Sequence, residues 1–246
     1  MPKTVLVTGG SRGIGAATAI MCANNAWNVV VNYSQNKTAA DHVVEQITGL
    51  GGQAFACQAD VADEASVKLM LDKAEDRFGQ VNGLVNNAGA LNIATRAINI
   101  DVARWNATFA TNVLGSFLCA RFVIERLVTA KGAGSIVNMS SMAAVLGGAN
   151  EFIDYAASKG AVDALTLGLA REYASEGIRV NGVRPGLIDT EMHKSSGKED
   201  RISGLLHTVP MGRSGQVEEV AKAIVFLLSE QASYITGTTV NVSGGR

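Results

Sequence analysis

Cysteine, proline and charged residues are all scarce in this sequence of 246 residues. The three cysteines, Cys22, Cys57 and Cys119, lie far apart, which excludes a Cys-x-x-Cys metal or redox pair and implies no disulfide framework. Charged residues make up only 17%, and 21 basic against 22 acidic side chains give a formal net charge of −1. Because nucleic acids and anionic membrane surfaces attract proteins with a clear basic excess, we expect neither kind of partner.

Long apolar runs are absent as well. No stretch of about 18 uncharged apolar residues occurs, so we expect no membrane-spanning segment. Met1-Pro2-Lys3 leads directly into the apolar run Thr4–Val7, without the pattern of a secretory signal peptide. The sequence therefore predicts a cytoplasmic protein, in which the cysteines are reduced and serve as small buried apolar side chains.

Apolar residues make up 47% of the sequence, enough to bury a sizeable core, and with the length of 246 they predict one globular domain over residues 1–246. Glycine, with 27 copies, is more frequent than usual and indicates places where the backbone turns sharply or approaches a ligand. Short β-branched runs alternate with helix-length segments, as is typical of repeated βα units. The predicted strands are Thr4–Thr8, Val29–Tyr33, Ala54–Ala59, Val81–Asn86, Ser135–Ser140, Arg179–Arg184 and Thr238–Val242. The predicted helices lie near 13–25, 37–49, 63–78, 101–130, 154–175 and 216–229. This pattern indicates an α/β fold with a doubly wound parallel sheet of about seven strands and helices on both faces.

A glycine-rich turn follows the first predicted strand and opens a helix: Thr8-Gly9-Gly10-Ser11-Arg12-Gly13-Ile14-Gly15. Glycine lets the backbone turn tightly and approach a pyrophosphate, while the helix N-terminus supplies free N–H groups and a positive dipole end. The spacing, Thr-Gly-x-x-x-Gly-x-Gly, departs from the general Gly-x-Gly-x-x-Gly fingerprint. Taken alone, the turn is also compatible with a tight strand-to-helix connection that binds no ligand.

Four further motifs follow in order: Asn86-Asn87-Ala88-Gly89, Ser140-Ser141, Tyr155-Ala-Ala-Ser-Lys159 and Pro185-Gly186. With them the whole chain resembles the short-chain dehydrogenase/reductase superfamily, in its shorter branch of about 250 residues. It is similar both to 3-oxoacyl-thioester reductases and to glucose dehydrogenases. The resemblance implies a Rossmann-like fold and an NADP(H)-dependent oxidoreductase that interconverts a carbonyl and a secondary alcohol.

Tyr155 and Lys159 are four positions apart, so on a helix they share one face. An ammonium about 4 Å from the phenol would favour phenolate by about 4 kcal/mol at an effective dielectric near 20. We expect Tyr155 to donate a proton to a carbonyl oxygen during reduction and to take it back during oxidation. Ser141 would hydrogen-bond that oxygen, and Asn112 matches the family's active-site asparagine, whose backbone holds a water linked to the lysine.

Ser140 competes with Ser141 for the serine role. The family's serine usually lies 12 to 14 residues before the tyrosine, and Ser141, at the long end of that range, implies a slightly lengthened loop over Gly147–Asp154. This loop and a lid over Thr190–Gln216 would shape the substrate pocket. In the lid, Lys194, Lys198, Arg201 and Arg213 only weakly suggest an acyl-carrier partner.

The second strand ends in Asn32-Tyr33-Ser34, without the carboxylate that binds the ribose 2′-hydroxyl in NAD-dependent relatives. Arg12 would instead pair with a 2′-phosphate, with Ser34 and Lys37 nearby, so NADP(H) is the predicted cofactor and NAD(H) the alternative. The resemblance implies these cofactor contacts: Gly9, Ser11, Arg12, Gly13, Ile14, Ser34, Asp60, Val61, Asn87, Ala88, Gly89, Tyr155, Lys159, Pro185, Gly186, Ile188 and Thr190.

Residues 113–128 and 155–174 are apolar on more than one face, so both helices should be covered on two sides. The resemblance implies that this cover comes from a homotetramer formed through these helices and the final strand. The histidines, His42, His193 and His207, show no metal-ligand spacing, and no metal site is predicted. The alternatives are a non-catalytic NADP-binding regulatory protein of the same fold and an NAD-dependent alcohol or sugar dehydrogenase.

Overall fold

The computed structural model describes residues 3–190 and 201–246. Seven parallel strands form one sheet in the order β3-β2-β1-β4-β5-β6-β7. Their bounds are β1 Thr4–Val7, β2 Asn28–Tyr33, β3 Ala54–Gln58, β4 Val81–Asn86, β5 Gly134–Met139, β6 Ile178–Pro185 and β7 Thr239–Val242. Each strand lies within two residues of its predicted bounds, which confirms the predicted Rossmann-like α/β fold.

Nine α-helices are found in the described ranges. Their bounds are α1 Gly13–Asn24, α2 Lys37–Gly49, α3 Glu64–Phe78, α4 Val102–Phe109, α5 Gly115–Thr129, α6 Ala143–Leu146, α7 Ile153–Tyr173, α8 Arg201–Leu205 and α9 Val217–Leu228. Several start where a side chain accepts a hydrogen bond from a first-turn amide, as Asn36, Asp63 and Asp101 do for α2, α3 and α4. Gln216 and Glu219 form a capping box at the start of α9.

The helices cover both faces of the sheet. One apolar core packs α3, α5 and α7 against the strands, and a second packs α1, α2 and α9 against the opposite face. Strands buried on both sides must be apolar throughout, which explains why they appear in the sequence as continuous β-branched runs. The cysteines are free and buried, as predicted.

The prediction of one helix over 101–130 was wrong in detail. A π-helical turn over Ala110–Leu114 separates α4 from α5 and holds Asn112, which is fully buried. By length and composition alone, the helical stretch Val102–Thr129 could cross a membrane. More than half of its most apolar window (56%) is buried in the protein, as expected for a core helix.

The segment between β5 and α7 agrees with the predicted helix start near residue 154 to within one residue. The predicted loop over Gly147–Asp154 overlaps the helix at its end, because α7 begins at Ile153 and Asp154 lies in its first turn with 1% exposure. A short helix, α6, precedes the loop. Of the predicted lid, residues 191–200 lie outside the described residues, and α8 occupies part of the remainder.

Candidate active site

The glycine-rich turn after β1 and the Asn87-Ala88-Gly89 turn after β4 meet where the strand order reverses. Thr8 Oγ1 accepts hydrogen bonds from the amides of Asn87 and Ala88, both at 3.0 Å. Asn87 Nδ2 in turn donates to the carbonyls of Thr8 and Gly9, at 2.9 and 3.0 Å. In doubly wound sheets, ligands bind in the crevice at this switch point.

Two glycines of the first turn have conformations that other residues rarely adopt. Gly9 has φ +58° and Gly13 has φ +54°, both in the left-handed region. Gly15 is needed for close packing, because a Cβ there would lie 2.4 Å from the Gly9 carbonyl oxygen and 2.5 Å from Asn87 Nδ2. A Cβ at Gly13 would meet nothing closer than Thr190, at 3.8 Å, so the backbone there borders open space.

The start of α1 suits a pyrophosphate. The helix begins at Gly13, and its N-cap residue, Arg12, gives no side-chain cap to the first-turn amides. These N–H groups and the positive end of the helix dipole therefore point into the space beside Gly13, the arrangement that binds phosphate groups. On this geometry, a dinucleotide fits the glycine-rich turn.

Asn32, at the end of β2, shapes the same turn but was absent from the predicted site. Its Oδ1 accepts from the Gly9 amide at 3.1 Å, and its Nδ2 donates to the carbonyls of Cys57 and Ala59 at 3.3 and 3.1 Å. The side chain is 2% exposed and links the glycine turn to β3. A single asparagine between Val31 and Tyr33 in an apolar strand was the available signal, since a buried amide needs hydrogen-bond partners.

The residues predicted to select the cofactor lie on two segments, Arg12 in the glycine-rich turn after β1 and Ser34 directly after β2. Both are exposed, and no carboxylate follows Tyr33 directly. Lys37 does not lie free, because its Nζ pairs with Asp41 one turn later at 2.6 Å. Lys37 is therefore part of an ion pair on the surface of α2.

A cavity of about 160 Å³ lies beyond the carboxyl ends of β4, β5 and β6. The predicted residues that line it are Ile14, Asn87, Gly89, Ser141, Tyr155, Lys159, Pro185, Gly186, Ile188 and Thr190. The other predicted cofactor contacts lie outside its wall, on the loops after β1 to β4: Gly9, Ser11, Arg12, Gly13, Ser34, Asp60, Val61 and Ala88. The remaining wall is largely apolar, from Leu91, Met142, Leu146, Phe152 and Leu187, with Glu151 and Arg246 as its charged members.

The two adjacent serines at the end of β5 differ in their contacts. Ser140 is 3% exposed, and its hydroxyl donates to the main-chain carbonyl of Lys159 at 3.2 Å, which ties the strand to α7. Ser141 Oγ accepts from the amide of Ala143 at 3.1 Å while keeping its own proton for another acceptor. This arrangement favours Ser141 as the serine that can donate into the cavity.

Lys159 and Tyr155 face the cavity from the first two turns of α7. Lys159 is 4% exposed; its Nζ donates to the Met139 carbonyl at 2.6 Å and lies 5.5 Å from the centre of the Tyr155 ring. Burial lowers the pKa of the Lys159 ammonium to about 8, against a smaller opposing effect of Asp163. Lys159 thus places a positive charge, titrating near neutrality, next to the phenol.

Asn112 lies behind the cavity and holds two of its walls together. Its Oδ1 accepts from the Ala90 amide at 2.7 Å, and its Nδ2 donates to the Ala90 carbonyl at 3.1 Å and to Ser158 Oγ at 2.9 Å. The Asn112 carbonyl accepts a hydrogen bond from Ser116 Oγ at 2.8 Å. The π-helical turn brings this side chain inward, a feature often found at functional sites.

No group of three or more His, Cys, Asp or Glu side chains within the described ranges is placed to hold a metal ion. His193, Lys194 and Lys198 lie outside the described residues, as does the side chain of Arg201. Arg213, from the predicted lid, pairs with Glu219 of α9 at 2.7 Å.

Known proteins resemble this chain over its whole length. A family model described as enoyl-(acyl carrier protein) reductase matches residues 9–246. An uncharacterized oxidoreductase of Escherichia coli K12, YgfF, is 49% identical over 98% of both chains. A 3-oxoacyl-[acyl-carrier-protein] reductase of Synechocystis is 41% identical, over 99% of this chain and 96% of its own. Glucose 1-dehydrogenase 2 of Bacillus subtilis is 37% identical, over 99% and 94%. The chain therefore belongs to the short-chain dehydrogenase/reductase superfamily and is an oxidoreductase that acts on CH–OH groups with NAD(P).

Proposed function

We propose that the protein is an NADP(H)-dependent oxidoreductase that interconverts a carbonyl and a secondary alcohol, with Tyr155 as acid and base. The observation that carries this proposal is the cavity shared by Ser141, Tyr155 and Lys159 next to the glycine-rich turn. A proton donor, a hydrogen-bond donor and a buried cation around one small space are what carbonyl reduction requires.

Each side chain has one task in this proposal. Tyr155 donates its phenolic proton to the carbonyl oxygen in reduction and removes the hydroxyl proton in oxidation. Ser141 donates a hydrogen bond to the same oxygen and stabilises the charge that develops there. Lys159 favours phenolate by its charge, and Asn112 keeps the wall that carries Ala90 in register with α7.

The bound nicotinamide would supply or accept the hydride. The residues that would hold the dinucleotide are the predicted contacts on the loops after β1 to β6. The exposed Arg12 and Ser34, together with the missing carboxylate after β2, support a preference for the 2′-phosphate of NADP(H). Lys37 already forms an exposed ion pair with Asp41, so the preference is assigned to Arg12 and Ser34.

Two alternative functions are kept. The first is an NAD-dependent alcohol or sugar dehydrogenase, and the similarity to the glucose 1-dehydrogenase 2 of B. subtilis supports its substrate class. A non-catalytic NADP-binding regulatory protein of this fold is disfavoured, because Ser141, Tyr155 and Lys159 are all present and line one cavity.

The proposal includes a single domain over residues 1–246, a substrate lid over Thr190–Gln216, a cytoplasmic location and a homotetramer. Exposed apolar side chains on α5, α7 and β7 support assembly through these elements: Phe117, Leu167 and Val240 are 39%, 40% and 37% exposed. The three free cysteines suit a reducing compartment. Light scattering at micromolar concentration tests the assembly, and a monomer would contradict it.

The experiment for the activity follows NADPH and, separately, NADH consumption with an acetoacetyl thioester, diketones, aldehydes and quinones. Selective NADPH-dependent turnover supports the proposed reductase. Selective NADH-dependent turnover supports the dehydrogenase alternative. Cofactor binding without turnover of any carbonyl, and without oxidation of the matching alcohols, supports the regulatory alternative.

A further inference from the structure

Two side-chain contacts join the α4 and π-helical region to the first turns of α7, on either side of Tyr155. Asp154, one residue before Tyr155, accepts hydrogen bonds from Arg104 Nε at 2.8 Å and Nη2 at 3.2 Å. Ser158, three residues after Tyr155, accepts from Asn112 Nδ2 at 2.9 Å and donates to the Tyr155 carbonyl at 2.7 Å. Because Asp154 and Ser158 are four apart, they lie on one helix face, and the backbone of Tyr155 is fixed between them.

The Arg104–Asp154 contact is buried and has further partners. Asp154 is 1% exposed, the Arg104 side chain is 18% exposed, and the two form a forked ion pair. Thr108 Oγ1 adds a third hydrogen bond to the carboxylate, at 3.3 Å, and Arg104 Nη1 donates to the Ile93 carbonyl at 2.9 Å. One guanidinium therefore connects three parts of the site: α4, the loop after β4 and the first turn of α7.

The pKa of Asp154 agrees with a close contact to Arg104. Burial by itself would raise the pKa of the Asp154 carboxyl, but the hydrogen bonds and charge of Arg104 hold it below its ordinary value. A charge at this depth needs its partner, since removing one member of a buried pair leaves the other uncompensated. The pair therefore resists rearrangement of the helix end that carries Tyr155.

We infer that Arg104 and Asp154 are positioning residues that fix the first turn of α7 and thereby aim the Tyr155 hydroxyl at the substrate oxygen. This inference rests on the proposed function of Tyr155. Neither residue lines the cavity, so their effect on the reaction passes through Tyr155. A displacement of a reacting group by about 1 Å can slow an enzyme about 100-fold, which sets the scale of the expected effect.

The test compares Arg104→Gln, Asp154→Asn and the double variant with the wild-type protein. Arg126→Gln serves as the matched control, because it breaks a different ion pair, with Asp72 and Glu75, between α3 and α5. We expect kcat to fall about 10- to 100-fold in each single variant, with the NADPH dissociation constant unchanged within about twofold. The double variant, which has no unpaired buried charge, should regain part of the loss.

A second measurement does not depend on activity. The chain has four tyrosines, so protein labelled with 3-fluorotyrosine gives a small set of ¹⁹F resonances, in which Tyr155→Phe identifies the signal of Tyr155. Arg104→Gln should shift or broaden that signal, whereas Arg126→Gln should leave it unchanged. An unchanged Tyr155 signal, or a loss of kcat in Arg126→Gln equal to that in Arg104→Gln, overturns the inference. If the wild-type protein reduces no carbonyl, the proposed function fails, while the ¹⁹F result still decides whether Arg104 positions Tyr155.

Discussion

Replacement of Lys159 by methionine measures how strongly the fold disfavours the buried ammonium. Lys159 is 4% exposed, and burial lowers its pKa from 10.5 to about 8. Since one pKa unit corresponds to about 1.4 kcal/mol, the fold disfavours the charged form by about 3 kcal/mol relative to the unfolded chain. Methionine has a similar length and carries no charge, so Lys159→Met removes this penalty.

The sign of the effect follows from proton binding. Below about pH 8 the lysine is protonated in both the folded and the unfolded protein, and the full penalty applies. Between about pH 8 and 10.5 the folded protein releases the proton while the unfolded chain keeps it, so stability due to this group rises with pH. Across this range, the free energy of unfolding of the wild-type protein should therefore rise by up to about 3 kcal/mol relative to that of Lys159→Met.

The assay is urea unfolding of the cofactor-free protein at pH 7 and at pH 10, at one protein concentration. A second pair, Tyr155→Phe and the double variant Tyr155→Phe/Lys159→Met, removes the phenol whose ionisation depends on the charge of Lys159. Titrating groups far from Lys159 are common to both proteins and cancel in the difference. Lys68→Met, at an exposed lysine of α3, is the control, and its difference from the wild type should not change with pH. Between pH 7 and pH 10 the expected change is about 2.5 kcal/mol, because the unfolded lysine is still mostly protonated at pH 10. A difference for Lys159→Met that stays constant within about 0.5 kcal/mol would refute the desolvation of Lys159.

Two predictions concern the dinucleotide site. Ser34→Asp should lower the ratio of kcat/KM for NADPH to kcat/KM for NADH about tenfold or more, because a carboxylate there repels the 2′-phosphate and accepts a hydrogen bond from a 2′-hydroxyl. Ser34→Asn controls for side-chain size, and an unchanged ratio in Ser34→Asp contradicts the assigned geometry. Gly15→Ala should abolish NADPH binding in a fluorescence titration and lower the free energy of unfolding by about 1–3 kcal/mol, since its Cβ would lie 2.4 Å from the Gly9 carbonyl oxygen. Gly49→Ala, where a Cβ meets nothing within 4 Å, is its control, and equal behaviour of the two variants would contradict the predicted overlap.

The strands were predictable because their burial is a local property of the sequence. A strand covered on both faces must be apolar at successive positions, and the bounds of β4, Val81–Asn86, agree with the prediction at both ends. The glycine turn was predictable for a similar reason, since only glycine readily adopts the positive φ found at Gly9 and Gly13.

Other parts of the site depend on contacts between distant residues. The π-helical turn is associated with the hydrogen bonds of Asn112 to Ala90, 22 positions away. The local sequence pattern of the helix does not indicate these bonds. The ion pair of Asp154 was not predictable, because its partner, Arg104, lies 50 positions earlier. Pairings of this kind become visible only once the chain is folded.

The most direct test of the central claim compares wild-type protein with Tyr155→Phe in NADPH oxidation, using whichever carbonyl the wild type reduces best. The variant loses only the phenolic hydroxyl and keeps the ring beside Lys159. General acid–base catalysis contributes about 10²- to 10⁴-fold, so kcat should fall by at least about 100-fold while the dissociation constant for NADPH stays within about twofold. Turnover by Tyr155→Phe within about threefold of the wild type would contradict the assignment of Tyr155 as the acid and base.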